Sequence, residues 1–365
     1  MSVYIGSGSL NELLDEINSR NYPTILVVTG RASFEKSGLK QLLLSELNGS
    51  KLIFFSDFSP NVKFKESYAG ILKCKASGAS AILAIGGGSV IDMAKTISLA
   101  PQSEQELELL ILGQQKVKET LPLFCAPTTA GSGSEATHFA VIYMNGKKYS
   151  LADLKLLPES VAIDPRLSSS MPPYLTACSG FDALSQAIES YWAQGATVQS
   201  REYAAKAINL ILPSLEKAVT EPSLEVRERM ALGAHYAGKA INLSKTTAPH
   251  ALSYYLTSKY GIPHGHAVAI FTGLFFKINQ TAIPEQLYDL MGCPSAESCF
   301  NFWYGLMSCC GLEPDMQKLA IPESECENIV DSVNLERLKN NPVNSGKDYL
   351  LQQLVEFYRS LSEQF

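Results

Sequence analysis

The sequence predicts an α/β domain on a parallel sheet followed by an all-helical domain, and three observations predict this class. Its 365 residues are about twice the usual length of one domain. Short apolar runs alternate with amphipathic stretches in the first half, which is the pattern of a doubly wound sheet. Beyond Pro165, apolar residues recur at helical spacing. We therefore expect an α/β domain at residues 1–165 and an all-helical domain at residues 166–365.

The composition is that of a folded globular protein with small-molecule partners. Hydrophobic residues make up 46% of the chain and charged residues 18%, and the formal net charge of −6 offers no broad positive surface for nucleic acid or anionic membranes. The eight cysteines form no C-x-x-C pair, so we expect reduced thiols. The first residues do not resemble a secretory signal, and no apolar run is long enough to span a bilayer. We therefore expect a cytoplasmic location.

The elements of the first domain follow from its apolar runs. Residues 25–28, 52–55 and 81–85 are predicted to be buried parallel strands, with a helix at residues 62–75. A β-hairpin is predicted further on, because Asn145-Gly146 is the preferred type I′ turn and apolar or alternating segments flank it.

In the second domain the apolar spacing predicts a series of helices. The domain has no internal repeat and no Ser- or Gly-rich linker before it, so we expect a firm interface between the domains with a cleft at it. The predicted helices lie at residues 174–192, 200–219, 223–240 and 247–260.

Two loops of the first domain have the composition of phosphate-binding turns. Gly86-Gly87-Gly88-Ser89 follows a predicted strand and opens a helix, and Ser89 with Asp92 resembles a capping box. The free amides at such a helix start bind anions, although a plain tight turn is the alternative. The second loop, residues 127–135, is small and hydroxylic. Two such loops on one sheet favour a dinucleotide. The candidate ligands of the second loop are Thr128, Thr129, Ser132 and Ser134.

The second domain carries a candidate metal site. Asp182 and Gln186 are four residues apart on one helix face. His250 and His264 would lie about 21 Å apart on one continuous helix, but Gly261-Ile262-Pro263 predicts a break that lets His264 fold back beside His250. Two oxygen and two nitrogen ligands suit iron(II), zinc or manganese.

The other histidines have simpler interpretations. A single histidine is more often a satisfied core or surface residue than a ligand, and we assign His138 and His235 to that class. His266 lies two residues after a candidate ligand and is therefore a candidate for proton relay.

These motifs, in this order, resemble the iron-containing (group III) alcohol dehydrogenases, relatives of glycerol dehydrogenase and dehydroquinate synthase. Gly86 to Ser89, with Asp92 and Lys95, resembles the family's pyrophosphate loop, and residues 127–135 resemble its second nucleotide loop. The resemblance implies a Rossmann-like domain that binds NAD or NADP. It also implies a divalent metal on the helical domain, reversible aldehyde reduction in the cleft, and a homodimer.

Three residues depart from the family pattern. Gln186 stands where the family usually has a histidine ligand, and an amide oxygen binds metal more weakly than imidazole. Gly30-Arg31 stands where many NAD-using members have an acidic residue, so we expect a preference for NADP(H), with Arg31 pairing with the 2′-phosphate. Tyr254 replaces a histidine that is common near the nicotinamide.

Within the family, the second-domain motifs are most similar to phosphonoacetaldehyde reductase, also called hydroxyethylphosphonate dehydrogenase. A dianionic phosphonate needs a cation and hydrogen-bond donors beside the metal. Lys245, Thr246 and Thr247 are the candidates for this role, while a solvated lysine at a helix start is the alternative for Lys245.

The resemblance implies hydride transfer from the reduced nicotinamide to an aldehyde carbonyl. His264 is expected to be essential, with Tyr254 or His266 assisting proton delivery. Three alternatives remain open: a general short-chain or polyol alcohol dehydrogenase, a dehydroquinate-synthase-like lyase, and a non-catalytic nucleotide-binding protein. The lyase would need a denser basic array than Lys245 with Arg201 or Lys239.

Overall fold

The computed structural model describes residues 1–333, 338–343 and 346–364. It divides into two compact units, Met1–Ser169 and Ser170–Phe365. The first unit is α/β and the second is helical, so the predicted fold class is confirmed. Among the described residues, no helix is both long enough and apolar enough to cross a membrane.

The first unit is built on a six-stranded parallel sheet, whose strands are β1 Ser2–Ile5, β2 Thr24–Thr29, β3 Lys51–Phe55, β4 Ala81–Gly86, β5 Leu123–Pro127 and β8 Ser160–Ile163. Their order across the sheet is β1-β8-β5-β4-β2-β3. Apolar residues from both the strands and the covering helices fill the core, as a parallel sheet buried on both faces requires. The helices of the unit are α1 Ser9–Ser19, α2 Ala32–Lys36, α3 Leu39–Glu46, α4 Phe64–Ser77, α5 Gly88–Ser98 and α6 Glu104–Ile111.

The predicted hairpin is present as β6, Phe139–Met144, and β7, Lys147–Ala152. Its turn residues Asn145 and Gly146 both have positive φ, 52° and 74°, as the predicted type I′ turn requires.

The second unit is a bundle of ten described helices. Most boundaries match the predicted segments to within a few residues, but the predicted segment 200–219 is two helices, because Pro213 removes a backbone donor between them. These helices are α7 Pro173–Trp192, α8 Val198–Ile211, α9 Leu215–Thr220, α10 Leu224–Ser244, α11 Ala248–Tyr260, α12 His264–Ile278, α13 Glu285–Met291, α14 Ala296–Cys309, α15 Glu325–Asp331 and α16 Lys347–Gln364.

Candidate metal centre and nucleotide loops

Three helices of the second unit bring potential metal ligands together. Asp182 lies on α7, His250 on α11 and His264 at the first position of α12. One ligand atom from each residue lies within 4.8 Å of the others. The Asp182 Oδ1 atom is 3.3 Å from Nε2 of His250 and 3.9 Å from Nε2 of His264. The sequence-predicted ligands on three separate segments therefore converge.

The polar atoms of this cluster fit a cation. Oδ1 of Asp182, Oε1 of Gln186 and Nε2 of His250 are all buried without a hydrogen-bond partner. Leaving such atoms unpaired in a protein interior costs free energy, so a group of three at one place calls for a shared partner. When Nε2 of His250 carries no proton, all three atoms offer lone pairs. A divalent metal ion satisfies them together.

A close backbone approach places His264 in the cluster. Helix α11 ends at Gly261, which has a φ of 68°, and Pro263 precedes the start of α12. The chain thereby reverses, and the rings of His250 and His264 lie 5.4 Å apart between centroids. A Cβ atom on Gly265 would lie 1.9 Å from the carbonyl oxygen of Cys178, so only glycine allows α12 to start so close to α7.

Glu189 contacts His250 on the side of the ring that faces away from the other ligand atoms. The sequence predicted no role for it. Its side chain is fully buried, and its Oε2 atom accepts hydrogen bonds from the Thr247 amide at 2.7 Å and hydroxyl at 2.8 Å. Its Oε1 atom contacts Nδ1 of His250. The available sequence signal was its position seven residues after Asp182, which is two helical turns along the same face.

The carboxylates govern the charge state of the cluster. Burial alone lowers the pKa of His250, but Glu189 and Asp182 together raise that pKa to about 10. Burial alone raises the pKa of Asp182, but the His250 and His264 imidazoles bring that pKa below its usual value. A metal that bound here at neutral pH would therefore have to displace a proton from His250.

Two residues predicted to assist proton transfer have different environments. Tyr254 stacks on His264, with ring planes 9° apart and centroids at 5.5 Å. His266 donates from Nε2 to the Glu313 carbonyl at 2.8 Å, so its Nδ1 atom accepts from the Tyr174 hydroxyl at 3.0 Å. Because both ring nitrogens of His266 already have partners, a proton relay through this ring would have to break one of these bonds.

The predicted anion-binding segment joins α10 to α11. Lys245 is exposed and has φ 62° and ψ 172°, a conformation that favours glycine. Asn340 donates to the carbonyl oxygens on both sides of it, Ser244 at 2.9 Å and Thr246 at 3.0 Å. Thr247 is buried and accepts a hydrogen bond from the Trp192 indole at 3.1 Å.

The two predicted nucleotide loops lie side by side in the first unit. They follow the adjacent strands β4 and β5, where Gly86 pairs with Pro127. A Cβ on Gly87 would lie 3.2 Å from Thr129, and one on Gly88 would lie 2.5 Å from the Ser132 hydroxyl. A side chain at Gly88 would therefore displace Ser132, and one at Gly87 would require a small shift of Thr129, so both glycines favour the close packing of the two loops.

The interiors of these loops differ from the sequence prediction in two ways. The Ser89–Asp92 capping box is wrong: Gly87 is the N-cap of α5 and no side chain caps it. Asp92 instead accepts from the Ser134 hydroxyl at 2.5 Å and the Val141 amide at 3.1 Å.

Lys95 is fully buried below the loops. It donates to the carbonyl oxygens of Ser134 and Thr137, each at 2.6 Å, and of Phe139 at 2.7 Å. Its ammonium therefore fixes the second loop, and a direct contact with a ligand phosphate would have to break these bonds.

Arg31 and Asp57 form an exposed ion pair with an N···O distance of 2.5 Å. Arg31 follows Gly30 after β2, and Asp57 follows β3, which pairs with β2. Strand β3 lies on one side of β2, and the next strand in sequence, β4, lies on the other side. The strand order therefore reverses at β2, and open α/β sheets bind ligands at such a reversal. The sequence prediction missed Asp57, because its proximity depends on the strand order.

Comparison with known proteins agrees with this architecture. The family model for iron-containing alcohol dehydrogenase matches residues 1–165, and the model for the C-terminal region of the Fe-containing alcohol dehydrogenase family matches residues 176–359. Alcohol dehydrogenase 4 of Saccharomyces cerevisiae is 34% identical over 299 residues, which cover 80% of this chain and 75% of the yeast protein.

Solved structures give the same result. A sulfoacetaldehyde reductase from Bifidobacterium kashiwanohense, solved in complex with NAD+, is 30% identical with a TM-score of 0.92, covering 98% of this chain and 97% of its own. An iron-containing alcohol dehydrogenase from Thermotoga maritima is 28% identical with a TM-score of 0.85, covering 98% of each chain. Sequence models matching both units and similarity over nearly the full length together show that the chain belongs to the iron-containing alcohol dehydrogenase family.

Proposed function

We propose that this oxidoreductase is a metal-dependent, NAD(P)H-linked aldehyde reductase that also works in reverse as an alcohol dehydrogenase. The observation that carries the proposal is the group of buried, unpartnered ligand atoms on Asp182, Gln186 and His250, with His264 beside them. A structural role alone does not explain three such atoms at one place, whereas a metal centre does.

The four residues would hold iron(II) or zinc. A divalent metal bound there polarises an aldehyde carbonyl and stabilises the negative charge that develops on its oxygen. Asp182 supplies negative charge to the centre, and the two imidazoles supply nitrogen ligands. Gln186 supplies a neutral amide oxygen, so we expect weaker metal binding than a third imidazole would give.

The proposed cofactor site lies on the first unit at the loops that follow β4 and β5. The amides at the start of α5 suit the pyrophosphate, and the hydroxyls of Thr128, Thr129 and Ser132 are available for polar contacts with the cofactor. Between the two nicotinamide cofactors we propose a preference for NADP(H). The Arg31–Asp57 pair is exposed and therefore weak, and a dianionic 2′-phosphate competes well with Asp57 for the guanidinium.

We propose phosphonoacetaldehyde, reduced to 2-hydroxyethylphosphonate, as the substrate. The similarity to a sulfoacetaldehyde reductase supports a short aldehyde with an anionic head group. Lys245 is an exposed cation two residues before Thr247, and Thr247 is hydrogen-bonded to Glu189, which contacts His250. Lys245 and Thr246 would bind the head group. Thr247, predicted with them, is buried and donates both its amide and its hydroxyl to Glu189, so it would hold this segment in place instead.

The Tyr254 hydroxyl is our candidate for carrying the proton that the reduced substrate needs, because its ring stacks on His264. Water is the alternative source. His266 is the less favoured helper, since both of its ring nitrogens are already hydrogen-bonded.

The test is a matrix of aldehydes, phosphonoacetaldehyde and sulfoacetaldehyde included, against NADPH and NADH, with iron(II), zinc or manganese added to the protein. We expect oxidation of one cofactor per aldehyde and the highest kcat/KM with phosphonoacetaldehyde. A preference for uncharged aldehydes would contradict the phosphonate assignment and favour a general alcohol dehydrogenase. Failure to oxidise either cofactor with any aldehyde would contradict the reductase itself and favour a lyase or a binding protein.

Two further expectations stay predictions. We expect a homodimer, to be checked by sedimentation velocity of the full chain. We also expect a cytoplasmic location, to be checked by fractionating cells that express the protein.

A further inference from the structure

We propose that Glu189 is a positioning residue that fixes His250 in the tautomer able to bind the metal. This inference rests on the proposed metal centre. Glu189 is not itself a proposed ligand. One of its carboxylate oxygens contacts Thr247, and the other contacts Nδ1 of His250, the ring nitrogen that faces away from the metal site.

The hydrogen bonds at the two carboxylate oxygens of Glu189 show which partner atom carries the proton in each bond. At Oε2, the Thr247 backbone amide is a donor that cannot be reversed. The Thr247 hydroxyl accepts from the Trp192 indole, so it too donates to Glu189. At Oε1, Nδ1 of His250 is the group in contact, and a carboxylate oxygen requires a donor there.

The consequence is that His250 carries its proton on Nδ1. In the neutral ring, Nε2 then carries no proton, and its lone pair points towards Asp182 Oδ1 and the other ligand atoms. The opposite tautomer would place an N–H in the cluster and remove one metal ligand. Hydrogen bonding of a ligand imidazole to a carboxylate also raises its basicity as a ligand.

Placement on the helix makes the arrangement rigid. Asp182, Gln186 and Glu189 lie on α7 at positions i, i+4 and i+7, so one buried helix face carries two proposed ligands and the group that orients a third. Glu189 is fully buried, and Thr247, which donates to it, is the N-cap of α11, the helix that carries His250.

Replacement by glutamine separates the orienting role from side-chain volume. An amide has one acceptor end and one donor end, whereas the site offers donors on both sides. The fixed donors at Thr247 select the amide oxygen, which leaves the amide NH₂ against Nδ1 of His250. His250 then takes the Nε2–H tautomer, and its ligand atom is lost to the metal.

The experiment measures binding of Co²⁺ to the metal-free full-length chain, by competition with a chromophoric chelator and by the visible d–d spectrum. We expect Glu189→Gln to weaken Co²⁺ binding 10–100-fold and to change the spectrum, with metal-free secondary structure close to wild type. Glu189→Asp keeps the charge but is one methylene shorter, and we expect an intermediate loss.

Glu325→Gln is the matched control. Glu325 also places a carboxylate against α11, accepting from Tyr255 and Lys259 in part-buried contacts away from His250. We expect this variant to bind Co²⁺ like wild type. Wild-type affinity and spectrum in Glu189→Gln would overturn the inference, and should that variant not fold, wild-type affinity in Glu189→Asp would do so. Failure of the wild-type chain to bind Co²⁺ would instead overturn the metal centre on which the inference rests.

Discussion

Nε2 of His250 lies 3.3 Å from Oδ1 of Asp182, and neither atom has a hydrogen-bond partner. Without metal, the raised pKa of His250 makes this contact an attraction between an imidazolium and a carboxylate. A divalent metal that takes the place of the proton would satisfy both atoms, and this exchange is the basis of the proposed function.

The close approach of Gly265 to α7 predicts a strong effect of one methyl group. Gly265→Ala places a Cβ against the Cys178 carbonyl, so α12 must move and carry His264 away from Asp182. We expect a loss of about 1–3 kcal/mol in the free energy of unfolding and weaker metal binding. Urea denaturation and Co²⁺ titration measure the two effects.

Gly305→Ala is the control for this substitution. Gly305 also lies within a helix, and its added Cβ would meet no atom within 4 Å. We expect a small gain in stability, about 0.5–1 kcal/mol, and unchanged metal binding. An equal response of the two glycine variants would contradict the steric explanation.

Backbone strain at Lys245 predicts opposite effects on stability and on substrate binding. Lys245→Gly relieves a conformation that costs about 1–3 kcal/mol, partly offset by the greater freedom of glycine in the unfolded chain. We expect a higher melting temperature together with a KM at least tenfold higher for phosphonoacetaldehyde. The KM for propanal should not change, since it has no charge to bind.

Ala320→Gly tests whether this loss is specific. Ala320 also has a positive φ, 57°, in a different part of the second unit. This variant should gain stability without any change in KM. If Lys245→Gly keeps its KM for the phosphonate, the role of the lysine in binding the head group is wrong.

The Arg31–Asp57 pair predicts how cofactor preference can be shifted. Asp57→Asn frees the guanidinium and removes a negative charge near the proposed 2′-phosphate site, so the ratio of kcat/KM for NADPH to that for NADH should rise. Arg31→Ala should lower the same ratio about tenfold. Initial-rate measurements with both cofactors provide the test, and an unchanged ratio in both variants would mean that Arg31 does not bind the 2′-phosphate.

Asp164 predicts a pH-dependent contribution to stability in the first unit. Burial raises its pKa, but Arg166 and the amides of Gly8 and Leu10 bring the pKa below the usual 3.8. A carboxyl whose pKa is lower in the folded chain than in the unfolded chain stabilises the fold above its unfolded pKa. This contribution is lost as the pH falls through the lowered pKa.

Asp164→Asn should therefore cost about 1–3 kcal/mol at neutral pH, and the cost should shrink below about pH 4. Melting temperatures of both proteins across this range provide the measurement. A difference that stays constant into acid would mean that the ionised carboxylate is not the source of the stabilisation.

Local patterns were sufficient to predict much of the fold. Asn145-Gly146 predicted its hairpin because the turn depends on those two residues alone. Gly261 to Pro263 predicted the chain reversal that brings His264 beside His250, since a glycine and a proline end a helix wherever it packs. The same rule applies to Pro213, which divides the single helix predicted at residues 200–219 into two helices.

Features that depend on tertiary packing were not predictable. The direction of the Lys95 side chain is set by three carbonyl oxygens from a distant loop, and the proximity of Asp57 to Arg31 is set by the strand order. The role of Glu189 depends on the meeting of α7 with the start of α11. In each case a residue's partner lies far away in sequence, where periodicity carries no signal.

The proposed function requires that the buried ligand atoms hold a metal needed for aldehyde reduction. Its most direct test is aldehyde-dependent oxidation of NADPH or NADH by wild type and by His264→Ala, each after incubation with iron(II) under anaerobic conditions. We expect the wild type to oxidise one cofactor per aldehyde and to lose this activity when a chelator removes the metal, and we expect the variant to be inactive. Near-normal turnover by His264→Ala, or by the chelated wild type, would mean that the reaction does not need this metal centre.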